Sequence, residues 1–167
     1  MSSMSDLRWD DIRADLDLDA KGVLPDGRVP QATAADWNAV VGLSRSRGWR
    51  LELTEDGERV PLGEGEMLRF PGPDDPSVTM SIWPVPGIQV NFFVYSPSEI
   101  DFDIDLRELQ TQERLDQLCD FLREMGRELG KPILITPEGA SNASYPFMEY
   151  DPQLDRIVAV PAGAAQR

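Results

Sequence analysis

Residues 88–106 read IQVNFFVYSPSEIDFDIDL, and the fold of the chain follows from this stretch. Apolar residues occupy every second position on both sides of the central SPS segment. Side chains of a strand alternate between its two faces, whereas a helix turning about 100° per residue would scatter these apolar positions around its circumference. The stretch is therefore predicted to form two β-strands, each with one apolar and one polar face.

A turn at Pro97 folds these two strands into an antiparallel hairpin with a defined register. The apolar pairs are then Val94–Ile100, Phe92–Phe102, Val90–Ile104 and Ile88–Leu106. On the opposite face the pairs are Tyr95–Glu99, Phe93–Asp101, Asn91–Asp103 and Gln89–Asp105. A shift of one residue would turn every carboxylate toward the core, so this register is strongly preferred.

The polar side of this hairpin carries a row of carboxylates that would span roughly 20 Å. Like charges at this spacing are unfavourable unless water or a cationic partner screens them. We therefore expect this side of the sheet to face solvent or another protein. The predicted partner-binding residues are Asn91, Phe93, Tyr95, Glu99, Asp101, Asp103 and Asp105.

Two amphipathic helices and several short strands are predicted around the hairpin. Thr33 opens a capping-box pattern before a helix that runs to about Arg47, and a longer helix is predicted from Thr111 to Leu129. Strands are predicted near residues 49–53, 59–60, 66–70, 78–83, 133–135, 147–150 and 157–160. The Asp56-Gly57 pair predicts a tight hairpin turn. The pattern is typical of an α+β fold, with a largely antiparallel multi-stranded sheet and two main helices packed on one face.

The domain organisation is predicted to be simple. Residues 1–30 are expected to form an N-terminal arm or short helix that docks on the domain, with a loop over residues 21–30 because Gly and Pro recur there. Residues 31–161 form a single α+β domain, and residues 162–167 form a frayed tail. The loop over residues 137–146 is longer than a simple connection needs, so Glu138, Asn142 and Tyr145 are further candidates for contact.

Composition narrows the function classes. The 167 residues carry a net charge of −14, which argues against nucleic-acid and anionic-membrane binding because both need positive surface. The single cysteine cannot form an internal disulfide, and no apolar run suggests a signal peptide or membrane span. We expect a cytoplasmic protein that is a monomer or a weak homodimer.

Most familiar catalytic chemistry is missing from the sequence. The chain has no histidine, which excludes Ser-His, Cys-His and His-metal arrangements. Cys119 lies on the apolar stripe of the second helix and is predicted to be a core residue. The Asp101-x-Asp-x-Asp105 spacing resembles the start of a calcium loop, but Leu106 and Gln112 stand where that loop needs Gly and Glu. No catalytic residue, metal or cofactor is predicted.

The sequence thus favours a non-enzymatic protein that presents an acidic sheet face to a basic protein partner. Immunity proteins that neutralise bacterial toxins are one class of small acidic protein with this description. A structural or adaptor subunit of a bacterial assembly is the alternative, although four carboxylates suit a two-fold self-contact poorly. A metal-dependent hydrolase is a third reading, and the poor calcium-loop match counts against it.

Overall fold

The computed structural model describes residues 6–19, 22–139 and 145–160. Within them the chain forms nine strands and three helices. The helices are α1 (Trp9–Ile12), α2 (Ala34–Arg47) and α3 (Gln112–Leu129). The strands are β1 (Asp26–Val29), β2 (Arg50–Glu55), β3 (Glu58–Val60), β4 (Val78–Val85), β5 (Ile88–Phe93), β6 (Ile100–Asp103), β7 (Ile133–Thr136), β8 (Met148–Asp151) and β9 (Arg156–Ala159).

All nine strands belong to one antiparallel sheet, in the order β3-β2-β4-β5-β6-β1-β7-β8-β9. Helices α2 and α3 pack on one face of this sheet, where Trp37 of α2 and Phe121 of α3 both meet the ring of Phe92 at 6.4 Å. The predicted α+β fold, with a largely antiparallel sheet and two main helices on one face, is confirmed.

The register of the central hairpin is also confirmed at its core. Phe92 lies opposite Phe102, Asn91 opposite Asp103 and Phe93 opposite Asp101. The eight apolar residues assigned to the inner side are all buried: Ile88, Val90, Phe92, Val94, Ile100, Phe102, Ile104 and Leu106. The second strand is shorter than predicted, because after Asp103 the backbone leaves β5 and Ile104 N–H donates to the carbonyl of Pro25.

Both long helices begin and end where local chemistry directs. The Thr33 hydroxyl accepts from Asp36 N–H and the Asp36 carboxylate accepts from Thr33 N–H, which completes a capping box at the start of α2. Thr111 caps α3 in the same position through Arg114 N–H. Gly48 and Gly130 end the two helices in the left-handed conformation, which glycine adopts without steric cost.

The prediction of a loop over residues 21–30 was wrong for residues 26–29, which form β1 in the interior of the sheet between β6 and β7. The glycine that suggested a turn is required by packing. A Cβ at Gly27 would lie 2.1 Å from the ring of Phe102, so only glycine lets β1 pass beneath that ring. The segment assigned to an arm therefore supplies a central strand.

Two further expectations meet a different outcome. Residues 66–70 form no strand, since Leu68 N–H bonds the Asn38 side chain of α2 and Phe70 packs edge-on against Trp37. This segment covers α2 and does not extend the sheet. At the amino terminus the predicted short helix is only four residues long, yet it docks closely, since Leu7, Ile12 and Leu16 are buried in the core. The tail 162–167 lies outside the described residues.

Candidate functional site

The candidate site is the polar face, which we define as the side of the sheet turned away from α2 and α3. Cross-strand pairing arranges its side chains into two rows that run across the strands. The first row is Glu52, Ser81, Asn91, Asp103, Asp26 and Thr136, and the second is Thr54, Thr79, Phe93, Asp101, Arg28, Leu134 and Glu149. With strands about 4.8 Å apart, the first row is roughly 24 Å long.

The middle of the polar face is an acidic centre made of Asp26, Asp101, Asp103 and Glu138. Asp26 lies directly opposite Asp103. Asp101 stands two positions before Asp103 in β6, on the same face of the strand. Glu138 reaches the group from the loop after β7, where its carboxylate accepts a 2.6 Å hydrogen bond from Leu24 N–H. Asp26 accepts from Gly139 N–H at 3.3 Å, so the loop and the start of β1 are joined beside this centre.

Burial makes the charged forms of these carboxyl groups costly. Desolvation raises the pKa of Asp101 to about 6, and the charges of Glu99 and Asp26 add to the rise. The pKa of Asp103 is raised chiefly by burial. The hydrogen bond from Asn91 lowers it, and the charges of Asp26, Asp105 and Glu138 raise it further. Burial also raises the pKa of Asp26. The charged forms of Asp26, Asp101 and Asp103 therefore carry a cost that a bound cation would relieve.

Arg28 stands within this acidic group and is poorly satisfied. It lies opposite Asp101 on the neighbouring strand, where its charge lowers the pKa of that carboxyl but does not offset burial. Its Nη1 is 3.9 Å from the Glu99 carboxylate, and its buried Nε has no hydrogen-bond partner among the described residues. One guanidinium held this loosely leaves the centre with an excess of negative charge.

A chain of amide and hydroxyl groups continues the first row toward β4. The Asn91 side-chain amide donates to Asp103 at 3.1 Å, and its carbonyl accepts from Ser81 and Gln89, each at 2.8 Å. These bonds fix the rotamer of Asn91 and hold the Asp103 carboxylate in one orientation. The centre is therefore a preorganised surface.

Aromatic side chains border the acidic centre along β5. The rings of Phe93 and Tyr95 stack at 6.0 Å with an interplanar angle of 11°, and Tyr95 is 62% exposed. On the neighbouring strands β2 and β4, the guanidinium of Arg50 lies 4.2 Å from the centre of the Trp83 ring. Phe93 is half-buried and supports the exposed Tyr95, and aromatic side chains of this kind are enriched among the residues that anchor protein contacts.

The predicted contact residues are brought together with one partial exception. Asn91, Phe93, Glu99, Asp101 and Asp103 share the polar face, and Tyr95 stands at its border. Asp105 does not oppose Gln89 as predicted, because it caps a 3₁₀ turn at Leu106–Glu108 and pairs with Arg107. The hydrogen bond from Arg107 lowers the pKa of Asp105. The negative charge of Asp105 still contributes to the raised pKa of Asp103.

Three loop residues have separate outcomes. Glu138 joins the acidic centre, and Tyr145 is 57% exposed. Asn142 lies outside the described residues. Sequence reasoning missed Asp26 and Arg28, whose signal was the short alternation Asp26-Gly27-Arg28-Val29; flanking prolines concealed it. Within the described ranges, no three acidic or cysteine side chains are grouped so that they could hold a metal ion.

Fold and site together define an α+β protein with one helix-covered sheet face and one polar face that is acidic at its centre. The chain matches no protein-family model, no curated protein and no solved structure. Within the described residues, the helices are too short or too polar for any of them to cross a bilayer.

Proposed function

We propose that this protein binds a basic protein partner through the polar face and does no chemistry of its own there. The observation that carries the proposal is the acidic centre, where burial and mutual repulsion raise the pKa of Asp26, Asp101 and Asp103. A lysine or arginine from a partner placed among them would replace repulsion by attraction. Binding energy is thus available at a surface that is held in place beforehand.

Phe93 and Tyr95 complete this surface by offering apolar area beside the charges. Charged pairs direct the encounter and reject wrong partners, whereas buried aromatic rings contribute most of the affinity in many interfaces. In its narrower form, our proposal is an immunity protein whose partner is a toxin domain. A toxin that acts on nucleic acid must present basic surface to phosphates, and an acidic protein can cover that surface.

The test compares two charge-reversal variants that change the net charge by the same amount. Asp101→Lys/Asp103→Lys alters the acidic centre, and Glu64→Lys/Asp74→Lys alters exposed positions in the segment that packs against α2. Each protein is used to capture partners from an extract of the producing organism. We expect wild type and the Glu64/Asp74 variant to retain the same basic protein and the Asp101/Asp103 variant to lose it.

The captured protein is then titrated by calorimetry at two pH values and two salt concentrations. Because a bound cation favours the charged carboxylates, affinity should fall when the pH is lowered from 7 to 5 and when salt is raised. Circular dichroism of the Asp101/Asp103 variant checks that the fold is intact. A partner that binds both variants and wild type with equal affinity would refute the proposal.

A further inference from the structure

The amino-terminal segment, which comprises residues 6–12, lies at the β9 edge of the sheet. In the described residues no strand pairs with β9 on the side away from β8. The Ile157 N–H points away from β8, and it donates a 3.0 Å hydrogen bond to the Asp6 carboxylate. An edge of this kind offers unpaired backbone groups to any other strand, and here a side chain occupies the place of that strand.

Asp6 is held at this edge by α3. Its carboxylate accepts a 2.6 Å hydrogen bond from Arg123, and the guanidinium of Arg123 also contacts Asp120. The Asp6 and Arg123 side chains are only 12% and 13% exposed, so water screens this ion pair weakly. A carboxylate held so firmly beside a strand edge would also repel the carbonyl oxygens of an incoming strand.

The following residues fasten the same segment to the first turn of α3. The side chain of Gln112 accepts a 2.6 Å hydrogen bond from Trp9 N–H and donates one of 2.9 Å to the carbonyl of Leu7. Leu7 itself is buried beside them. Asp6 therefore belongs to an anchored segment that lies against both α3 and β9.

We propose that this segment is a cover that prevents a second copy of the chain from adding to β9, and that Asp6 is the residue that blocks the edge. The edge is self-complementary. Antiparallel pairing of two β9 strands about Val158 would place Ile157 of each copy opposite Ala159 of the other. By the alternation of an antiparallel ladder, the backbone groups of Ile157 and Ala159 face the same way, so each such pair would exchange two hydrogen bonds.

The strand itself favours such pairing once the carboxylate is gone. Its sequence is Arg156-Ile-Val-Ala159, with two β-branched residues at the centre and no proline. The exposed Ala159 side chain offers no charge that would keep another strand away. A two-fold contact would join the two sheets into one, at a site distant in strand order from the acidic centre.

The experiment uses the full chain and the variant Asp6→Ala, with Asp11→Ala as the control because Asp11 is an exposed acid in the same segment. Light scattering after size exclusion should show a concentration-dependent dimer for Asp6→Ala and a monomer for Asp11→Ala at every concentration. At low concentration, hydrogen exchange at the Ile157 amide should become about tenfold faster in Asp6→Ala, because one hydrogen bond is lost. A folded Asp6→Ala protein that stays monomeric would overturn the proposal.

A second variant locates the contact. Asp6→Ala/Ala159→Lys places a charge on the same edge and should restore the monomer, since edge lysines discourage strand pairing. A dimer that persists in this variant would also overturn the proposal. If Asp6→Ala does not fold, Asp6→Asn replaces it. Loss of the charge weakens the contact with Arg123, so the segment should leave the edge more often, with faster exchange at the Ile157 amide and a concentration-dependent dimer. A folded Asp6→Asn protein that stays monomeric would overturn the proposal.

Discussion

At the scale of the single residue, Asp101 is the side chain of the acidic centre whose charged form most clearly lowers the free energy of unfolding. Its pKa is about 6 in the folded protein, against a usual value of 3.8, chiefly because it is buried. The folded state therefore holds more protons than the unfolded chain between these two values. Stability must fall as the pH rises through this window and stay reduced above it.

Asp101→Asn removes this cost and should stabilise the protein at pH 7. We expect the free energy of unfolding to rise by about 1 kcal/mol, a value already reduced for the solvent screening of a half-buried side chain. At pH 4 the difference should disappear, because Asp101 is then largely protonated in the folded state. Urea denaturation at the two pH values measures this, with the exposed Asp74→Asn as control. A loss of stability at pH 7 would contradict the prediction.

At the scale of the element, β1 shows how a central strand depends on one missing side chain. Gly27→Ala would place a methyl group against the Phe102 ring, which itself packs 5.2 Å from the ring of Phe92. Moving Phe102 disturbs that contact, so the substitution should destabilise the fold by about 1–3 kcal/mol. Guanidinium denaturation gives the value.

Gly42 provides the matched control for β1, because the same substitution should act in the opposite direction there. It is exposed in the middle of α2, and a Cβ at this position would meet nothing within 4 Å. Gly42→Ala should stabilise the protein by about 0.5–1 kcal/mol, since alanine loses less conformational entropy in a helix. Equal effects at both glycines would mean that the Phe102 contact does not determine the choice of Gly27.

The elements also show what a single sequence can predict. The register of β5 and β6 followed from strict alternation together with the turn at Pro97, since a shift of one residue would bury Asp101 and Asp103. Strand β1 could not be found in this way, because Gly27 is chosen by a ring 75 positions later in the chain. Asp26 was therefore missed, because it comes from β1. Glu138 was named only as a loop candidate, because its place beside the centre depends on its bond to Leu24. Alternation in the sequence shows which residues of one strand share a face. The acidic centre depends on which strands lie side by side, as β1 and β6 do, and alternation does not show this.

At the scale of the whole molecule, the carboxyl groups with a shifted pKa divide into two sets that respond to pH in opposite ways. Burial raises the pKa of Asp26, Asp101, Asp103, Glu108 and Glu149. Hydrogen bonds from arginines lower the pKa of Glu52, Asp105 and Asp155. The first set destabilises the fold once it is charged, and the second stabilises it until it is protonated.

These two sets predict where the protein is most stable. As the pH falls from 7 toward 5, Asp101 takes up a proton in the folded state and stability rises. The other members of the first set also have raised pKa values and act in the same direction, while the second set remains charged. The chain has no histidine, so no imidazole becomes charged over this range to oppose the trend. As the pH falls further, below the ordinary carboxyl pKa of about 4, the contribution of the second set begins to decline, and it is lost once these groups are protonated in the folded state as well. We therefore expect the melting temperature to be highest at about pH 5.

Added salt should raise the melting temperature at pH 7, because salt screens the repulsion within a chain of net charge −14. Thermal melts from pH 3.5 to 8 at two salt concentrations test both statements. If the melting temperature decreases when the pH is lowered from 7 to 5, repulsion at the acidic centre does not govern the stability of this molecule.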